Sequence, residues 1–276
     1  MKKIFAFSSF LCLAASVQAQ YYYKDILSNK QTKADMAAYK TNKVKTINIK
    51  SFEGDGAESE GFFAQKKFSK DYKKAELFSR SAISSPSLQT SLFNNNGDLL
   101  QSTDSSDLSV TRSYYQYTAD GQVASITSVI RSSDDDFTSE ITEEHLYSYS
   151  AAGLLEKMIR VKNKRDSVTI LFAPDEKGNI GIEKDTKTGT KYYYYYDAKN
   201  RLTDVVQEND FKTMMRPDYI FEYNNTAGLV SQMTTSEEGV NNYYVWKYSY
   251  ENGLRVREKC FSKERRLMGT IEYEYK

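Results

Sequence analysis

Residues 191–202 read KYYYYYDAKNRL. Five tyrosines run into Asp197, a short polar turn follows around Asn200, and Leu202 reopens an apolar pattern. Degraded copies of this unit recur from about Thr90 to the end of the chain. Each has an aromatic-x-aromatic approach, a turn residue with access to positive φ, and a Leu, Val or Ile that starts a return strand. The turn residues are Gly97, Gly121, Gly153, Gly178, Asn200, Gly228 and Gly253, spaced by 24, 32, 25, 22, 28 and 25 residues. Before them stand Phe93, Tyr117, Tyr149, Phe172, Tyr196, Tyr223 and Tyr250. After them stand Leu99, Val123, Leu154, Ile180, Leu202, Leu229 and Leu254. Ile271, Tyr273 and Tyr275 form a last half-unit.

One such unit is a β-hairpin. In Tyr244, Trp246, Tyr248 and Tyr250 every second residue is aromatic, which puts the rings on one face of a strand. Gly or Asn supplies the positive φ of a tight turn. A single hairpin is marginal in water, whereas units in series pair edge to edge and share a core. The expectation is therefore all-β. It is an antiparallel meander of repeated hairpins, about 14–16 strands, closed into a barrel or strongly curved, preceded by a short helix.

The chain divides as 1–19, 20–45 and 46–276. Residues 1–19 read as a signal peptide. Lys2 and Lys3 lead an apolar stretch, and Val17 and Ala19 place small residues at −3 and −1 of a cut before Gln20. Leu11 before Cys12 argues against a lipid anchor. Residues 20–45 contain a helical segment whose Ile26, Leu27, Met36 and Tyr39 could line one face. A first strand is expected at 44–49. Residues 66–80, with five lysines, fit either a strand or a short helix. The polar, irregular segments 132–140 and 209–216 read as loops at the end of the sheet opposite the glycine turns.

Composition narrows the function. Without Lys2 and Lys3, 36 Lys+Arg face 37 Asp+Glu, a net charge of about −1, so no basic excess exists to meet nucleic acid. After the leader no apolar run is long enough for a transmembrane helix. Cys260 is then the sole cysteine and reads as a small buried apolar residue on a strand over 254–261. Aromatic residues make up 14% of the chain, with 23 Tyr against 1 Trp. Tyr suits strands that bury a ring and wet a hydroxyl.

The repeat resembles the YD repeat of Rhs-type proteins, Tyr-x-Tyr-Asp-x-x-Gly-Arg-Leu. The likeness is carried by YQYTADGQV (115–123), YYYDAKNRL (194–202) and FEYNNTAGL (221–229). Only 194–202 has both the Asp and the Arg, with Asn200 in the glycine position. With its leader and the opening Tyr21-Tyr22-Tyr23-Lys24-Asp25, the whole chain is similar to exported proteins of the Bacteroidota, some with a porin-like fold. The resemblance implies hairpin architecture, and it implies neither a toxin shell nor an activity.

No constellation for catalysis, cofactor or metal stands out. His145, the single histidine, reads as a surface or strand-edge residue. Asp134, Asp135 and Asp136 lack the alternation and the glycine of a calcium loop and read as a solvated tip. There is no Gly-rich phosphate loop and no Gly-x-Ser-x-Gly elbow. One feature admits a binding role. If the rows Tyr192, Tyr194, Tyr196 and Trp246, Tyr248, Tyr250 face solvent, they offer an aromatic platform for a glycan or a cell-envelope protein. If they face inward, they are core. The expected function is an exported (periplasmic, surface or extracellular) non-catalytic protein with a binding or structural role. A carbohydrate-active hydrolase with its site on the loops and an outer-membrane β-barrel are the alternatives.

Overall fold

A computed structural model describes residues 20–132, 139–208, 217–225, 227–237 and 242–276. Residues 1–19, read above as a signal peptide, the acidic Asp134–Asp136 and residues 209–216, read above as a loop, lie outside the described residues.

A π-helical turn (Tyr22–Leu27) runs into α1 (Ser28–Thr41). Then come β1 (Thr46–Glu53), β2 (Phe63–Phe68), β3 (Lys74–Ser81), β4 (Ser84–Phe93), β5 (Leu99–Ser105) and β6 (Ser109–Tyr117). The middle strands are β7 (Val123–Ser132), β8 (Glu140–Tyr149), β9 (Leu155–Lys162), β10 (Asp166–Pro174), β11 (Ile180–Asp185) and β12 (Lys191–Tyr196). The last are β13 (Leu202–Glu208), β14 (Pro217–Tyr223), β15 (Val230–Ser236), β16 (Tyr243–Glu251), β17 (Leu254–Ser262) and β18 (Leu267–Tyr275). All neighbours pair antiparallel, and β18 pairs with β1, so the 18 strands close into a barrel.

Closure consumes the half-unit at the C-terminus. Ile47↔Tyr275 through Glu53↔Gly269 register β1 against β18, and the Lys276 and Thr46 backbones exchange hydrogen bonds of 2.8 and 2.9 Å. Among the described strands no edge is left for another chain to extend. The strand count exceeds the expected 14–16 because residues 66–80 are not helical. They contribute to the β2–β3 hairpin, whose turn falls at Tyr72 with φ +58°. There the turn has no glycine, so the repeat is invisible in sequence.

The repeat has a structural device of its own. In four units the tyrosine before the turn sits at a register shift, at Tyr117, Tyr149, Tyr196 and Tyr223. From there its hydroxyl reaches back to the preceding unit. Tyr117 donates to the Leu99 carbonyl (2.7 Å), Tyr149 to Val123 (2.8 Å), Tyr196 to Ile180 (2.8 Å) and Tyr223 to Leu202 (2.7 Å). The acceptors start the return strands, where the bulge interrupts the ladder and frees a carbonyl. In the longer turns the opening residue caps the turn. Asp197 accepts from the Lys199 and Arg201 backbones at 2.8 and 3.0 Å, and Asp175 does the same for Lys177 and Asn179. Arg201 then ties Asp197 (2.5 Å) to the next unit by stacking 4.4 Å over the Tyr223 ring. That is the physical use of the Asp and Arg of the motif. The Arg201 guanidinium, with those backbone N–H groups, pulls the Asp197 carboxyl down to about 2.

The helical segment lies within the barrel, towards the end that carries the glycine turns. Asn29 meets Tyr117, Lys33 meets Asp98, and Asn42 meets the Asn252 carbonyl. Eighteen strands enclose more space than their own side chains fill, and this segment takes part of it. Its start packs with Tyr147, Met158, Ile170, Phe172, Tyr194 and Val205. Its end, through Met36 and Val44, packs with Ile47, Phe68, Phe93 and Leu254. The face expected from sequence is the face used. Ile26 and Met36 are buried, and Leu27 and Tyr39 pack against the two clusters.

Candidate functional site

The densest chemistry surrounds the start of the helical segment. Glu183, on β11, is completely buried. Its carboxylate accepts from the backbone nitrogens of Gln20 (3.0 Å), Tyr21 (3.0 Å) and Tyr22 (2.9 Å) and from the Tyr194 hydroxyl (2.8 Å). The first N–H groups of a helix have no partner within it, and they carry the positive end of its dipole. Glu183 supplies the cap from another strand. Burial pushes its carboxyl above the usual glutamate range, against those four hydrogen bonds.

Alongside lies His145, on β8. Nδ1 is 2.5 Å from Asp25 Oδ2, and Nε2 is 2.9 Å from Glu143 Oε1. The Tyr147 hydroxyl donates to the same Asp25 oxygen at 2.5 Å, and the Tyr21 ring meets the imidazole edge-on at 4.9 Å. Burial alone would lower the histidine pKa. The two carboxylates overcome it and hold the group up to about 9. The expectation of a surface or strand-edge histidine is corrected: its side chain is 13% exposed and faces the interior. Its main partner is 120 residues away, so no local signal announced it. Arg160 completes the cluster, donating to the Tyr21 hydroxyl at 2.6 Å.

Chemically this is a clamp. An imidazolium that donates from both nitrogens has no lone pair with which to act as a base. Among the described residues no Ser, Thr or Cys nucleophile is bonded to it. Among the described residues no group of three or more His, Cys, Asp or Glu is placed to hold a metal ion. The cleft between Asp25, Asn29 and Thr32 of the helix and Tyr115 and Ile126 of the wall has a volume of about 50 Å³, room for a few waters and not for a sugar ring.

The six tyrosine and tryptophan candidates fall on the inner face. Tyr192 is 1%, Tyr194 3% and Trp246 4% exposed. Tyr196, Tyr248 and Tyr250 are half-buried. They serve as wall and as hydrogen-bonding posts: Tyr194 on Glu183, Tyr196 on the Ile180 carbonyl, and Tyr248 and Tyr250 around the Arg255 guanidinium at 4.4 and 5.8 Å. Arg255 pairs with the buried Glu258 at 3.0 Å, which also accepts from Tyr273 at 2.6 Å. The rows present no outward platform. In the five-tyrosine run the ring most open to solvent is Tyr195, at 50%. Cys260 is buried as expected, and burial pushes its thiol up to about 12.

The fold therefore defines a closed 18-strand antiparallel barrel holding its own N-terminal helix. Two crystal structures of porin-like proteins are similar to it. The one from Bacteroides uniformis ATCC 8492 has 10% identity and a TM-score of 0.40, covering 84% of this chain and 96% of that one. The one from Bacteroides vulgatus ATCC 8482 has 12% identity and a TM-score of 0.32, covering 84% and 98%. The Tc holotoxin pore of Photorhabdus luminescens matches at 11% identity and a TM-score of 0.27 over 86% of this chain, which spans 17% of the length of that one. No family model matches, so membership of the YD-repeat family is not established, and no curated protein matches.

Proposed function

We propose that this chain is an exported, non-catalytic barrel that works surrounded by water. Its role is binding or structural in the cell envelope, with a glycan or protein as partner. The observation that carries the reading is the polarity of the outer face. A membrane barrel turns an apolar band towards lipid and keeps its polar residues inside. Here charge interrupts the outer face, although Phe78, Leu146 and Leu171 are also exposed there and Glu183 and Glu258 are buried inside. Opposite the inward pair Trp246↔Cys260 lies the outward pair Lys247↔Lys259. Ion pairs also cross the outside between Arg257 and Glu272 (2.9 Å), Lys191 and Glu208 (3.4 Å), and Arg131 and Glu140 (2.6 Å). Each charge on a lipid face near the midplane would cost about 2–4 kcal/mol for Lys or Arg. Among the described residues no helix is long and apolar enough to cross a membrane, which leaves the strands to decide the matter.

The non-catalytic part of the reading is supported by the fixed state of His145. The repeat likeness to YD proteins stays within this proposal as an account of how the hairpins arose. Fractionation tests the location. The expected result is release with the periplasmic or culture fluid and partition into the aqueous phase of a detergent phase separation. Recovery only from detergent-solubilised outer membrane, with channel activity in planar bilayers, would sink it. Glycan-array binding that survives Tyr192→Phe but fails on Tyr195→Ala would locate a sugar surface on the outside of the wall. Depolymerisation of a polysaccharide by the purified protein would restore the hydrolase alternative.

A further inference from the structure

We propose that Glu183 is an internal receptor for the α-ammonium group created when export processing cuts the chain before Gln20. The proposal rests on the export reading above and adds a site to it. Hydrolysis of the Ala19–Gln20 peptide bond by an export endopeptidase consumes one water. The Ala19 acyl carbon leaves as a carboxylate, and the Gln20 nitrogen becomes a primary amine that takes up a proton. That nitrogen already stands 3.0 Å from Glu183 Oε1.

Three observations point the same way. Glu183 is fully buried, yet its four donors are neutral, namely three backbone N–H groups and one phenol. Among the described residues no Lys, Arg or His side chain forms an ion pair with it. A buried carboxylate without a cation is costly, and a partner with good geometry removes most of that cost. Gln20 itself is buried, at 7% exposure, in the chain that still carries residues 1–19. Its side-chain amide is anchored separately, donating to Asp218 Oδ2 at 2.9 Å. As an amide the Gln20 nitrogen offers one hydrogen. As an ammonium it offers three and a unit charge, at the end of a helical segment whose next two N–H groups share the same carboxylate. Protonated and held there, the amine is also a poor nucleophile for the cyclisation with loss of ammonia that N-terminal glutamine otherwise undergoes.

The test uses protein recovered after export with its own leader. Intact mass and N-terminal sequencing are expected to give a chain starting at Gln20 that has not lost ammonia. In the folded protein at neutral pH, an amine-selective acylating reagent is expected to modify exposed lysines while the α-amine reacts roughly tenfold or more slowly than after unfolding. Glu183→Gln, which keeps an acceptor and removes the charge, is expected to abolish that protection. A chain made with one extra Met before Gln20 keeps Glu183 intact and is expected to unfold several degrees lower than the processed protein. A mature start elsewhere overturns the proposal through the export reading. A Gln20 start with a freely reactive or cyclised amine, or an extended chain as stable as the processed one, overturns it through Glu183 while leaving export standing.

Discussion

The two halves of the barrel interior hold the same helical segment by different means. On the β7–β14 side the start of the segment is bound by buried charge: Glu183 on the backbone, and His145 between Asp25 and Glu143. On the side of β1–β5 and β17 the far end is bound mainly by apolar contact, through Met36 and Val44 against Ile47, Phe68, Phe93 and Leu254. Tyr39 adds ring contacts with Phe68 at 5.1 Å and Tyr275 at 6.3 Å. The difference teaches how one short segment is both held and set in register. Apolar contact is non-directional and tolerates sliding. A carboxylate that must meet three consecutive N–H groups fixes one position along the helix and one rotation about it.

The comparison is broken most severely by Glu183→Ala. It strands three backbone N–H groups and the Tyr194 hydroxyl without their acceptor, and chemical denaturation is expected to show a loss of about 3–5 kcal/mol. Next comes His145→Gln, whose effect depends on pH. The folded histidine titrates near 9 and the unfolded one near 6.5. Its stabilisation is therefore complete below about pH 6.5 and is lost as pH rises through about 9. The substitution is expected to cost on the order of 3 kcal/mol at pH 6 and almost nothing at pH 9.5. Equal losses at both values, read from melting curves, would show that the imidazole acts by shape and not by charge.

The apolar half is expected to answer differently. Met36→Ala opens a cavity among Ile47, Phe68 and Leu254 and is expected to cost about 2–3 kcal/mol with no dependence on pH between 6 and 9.5. A pH-dependent loss there would merge the two halves into one network. The smallest expected effect belongs to the repeat and not to the plug. Tyr223→Phe keeps the ring under Arg201 but removes the donor to the Leu202 carbonyl, for about 0.5–1.5 kcal/mol. Tyr117→Phe and Tyr149→Phe are expected to match it, since the same contact joins each pair of units. A null result at all three would show that water replaces the hydroxyl at that carbonyl.

The hairpins were legible because their cause is local. A period of two in Tyr244–Tyr250 and a positive-φ residue such as Asn200, with φ +58°, act over a few residues. The hairpin at Tyr72 escaped because a non-glycine residue took the turn. The buried network escaped for another reason. Asp25, His145 and Glu183 are ordinary charged residues in their own neighbourhoods. Their meaning comes from contacts across 120 and 161 residues that only closure creates.

The sequence by itself determined that this chain is a series of antiparallel hairpins with one aromatic face, because side-chain alternation and turn geometry are properties of neighbouring residues. Only the tertiary structure decided that 18 strands close β18 onto β1, that the aromatic face turns inward, and that the helical segment takes part of the enclosed space. The physical reason is that period two separates two faces without saying which is wet. That choice is made when the sheet closes around the helical segment and leaves Lys247, Arg257 and Glu272 on the outer face.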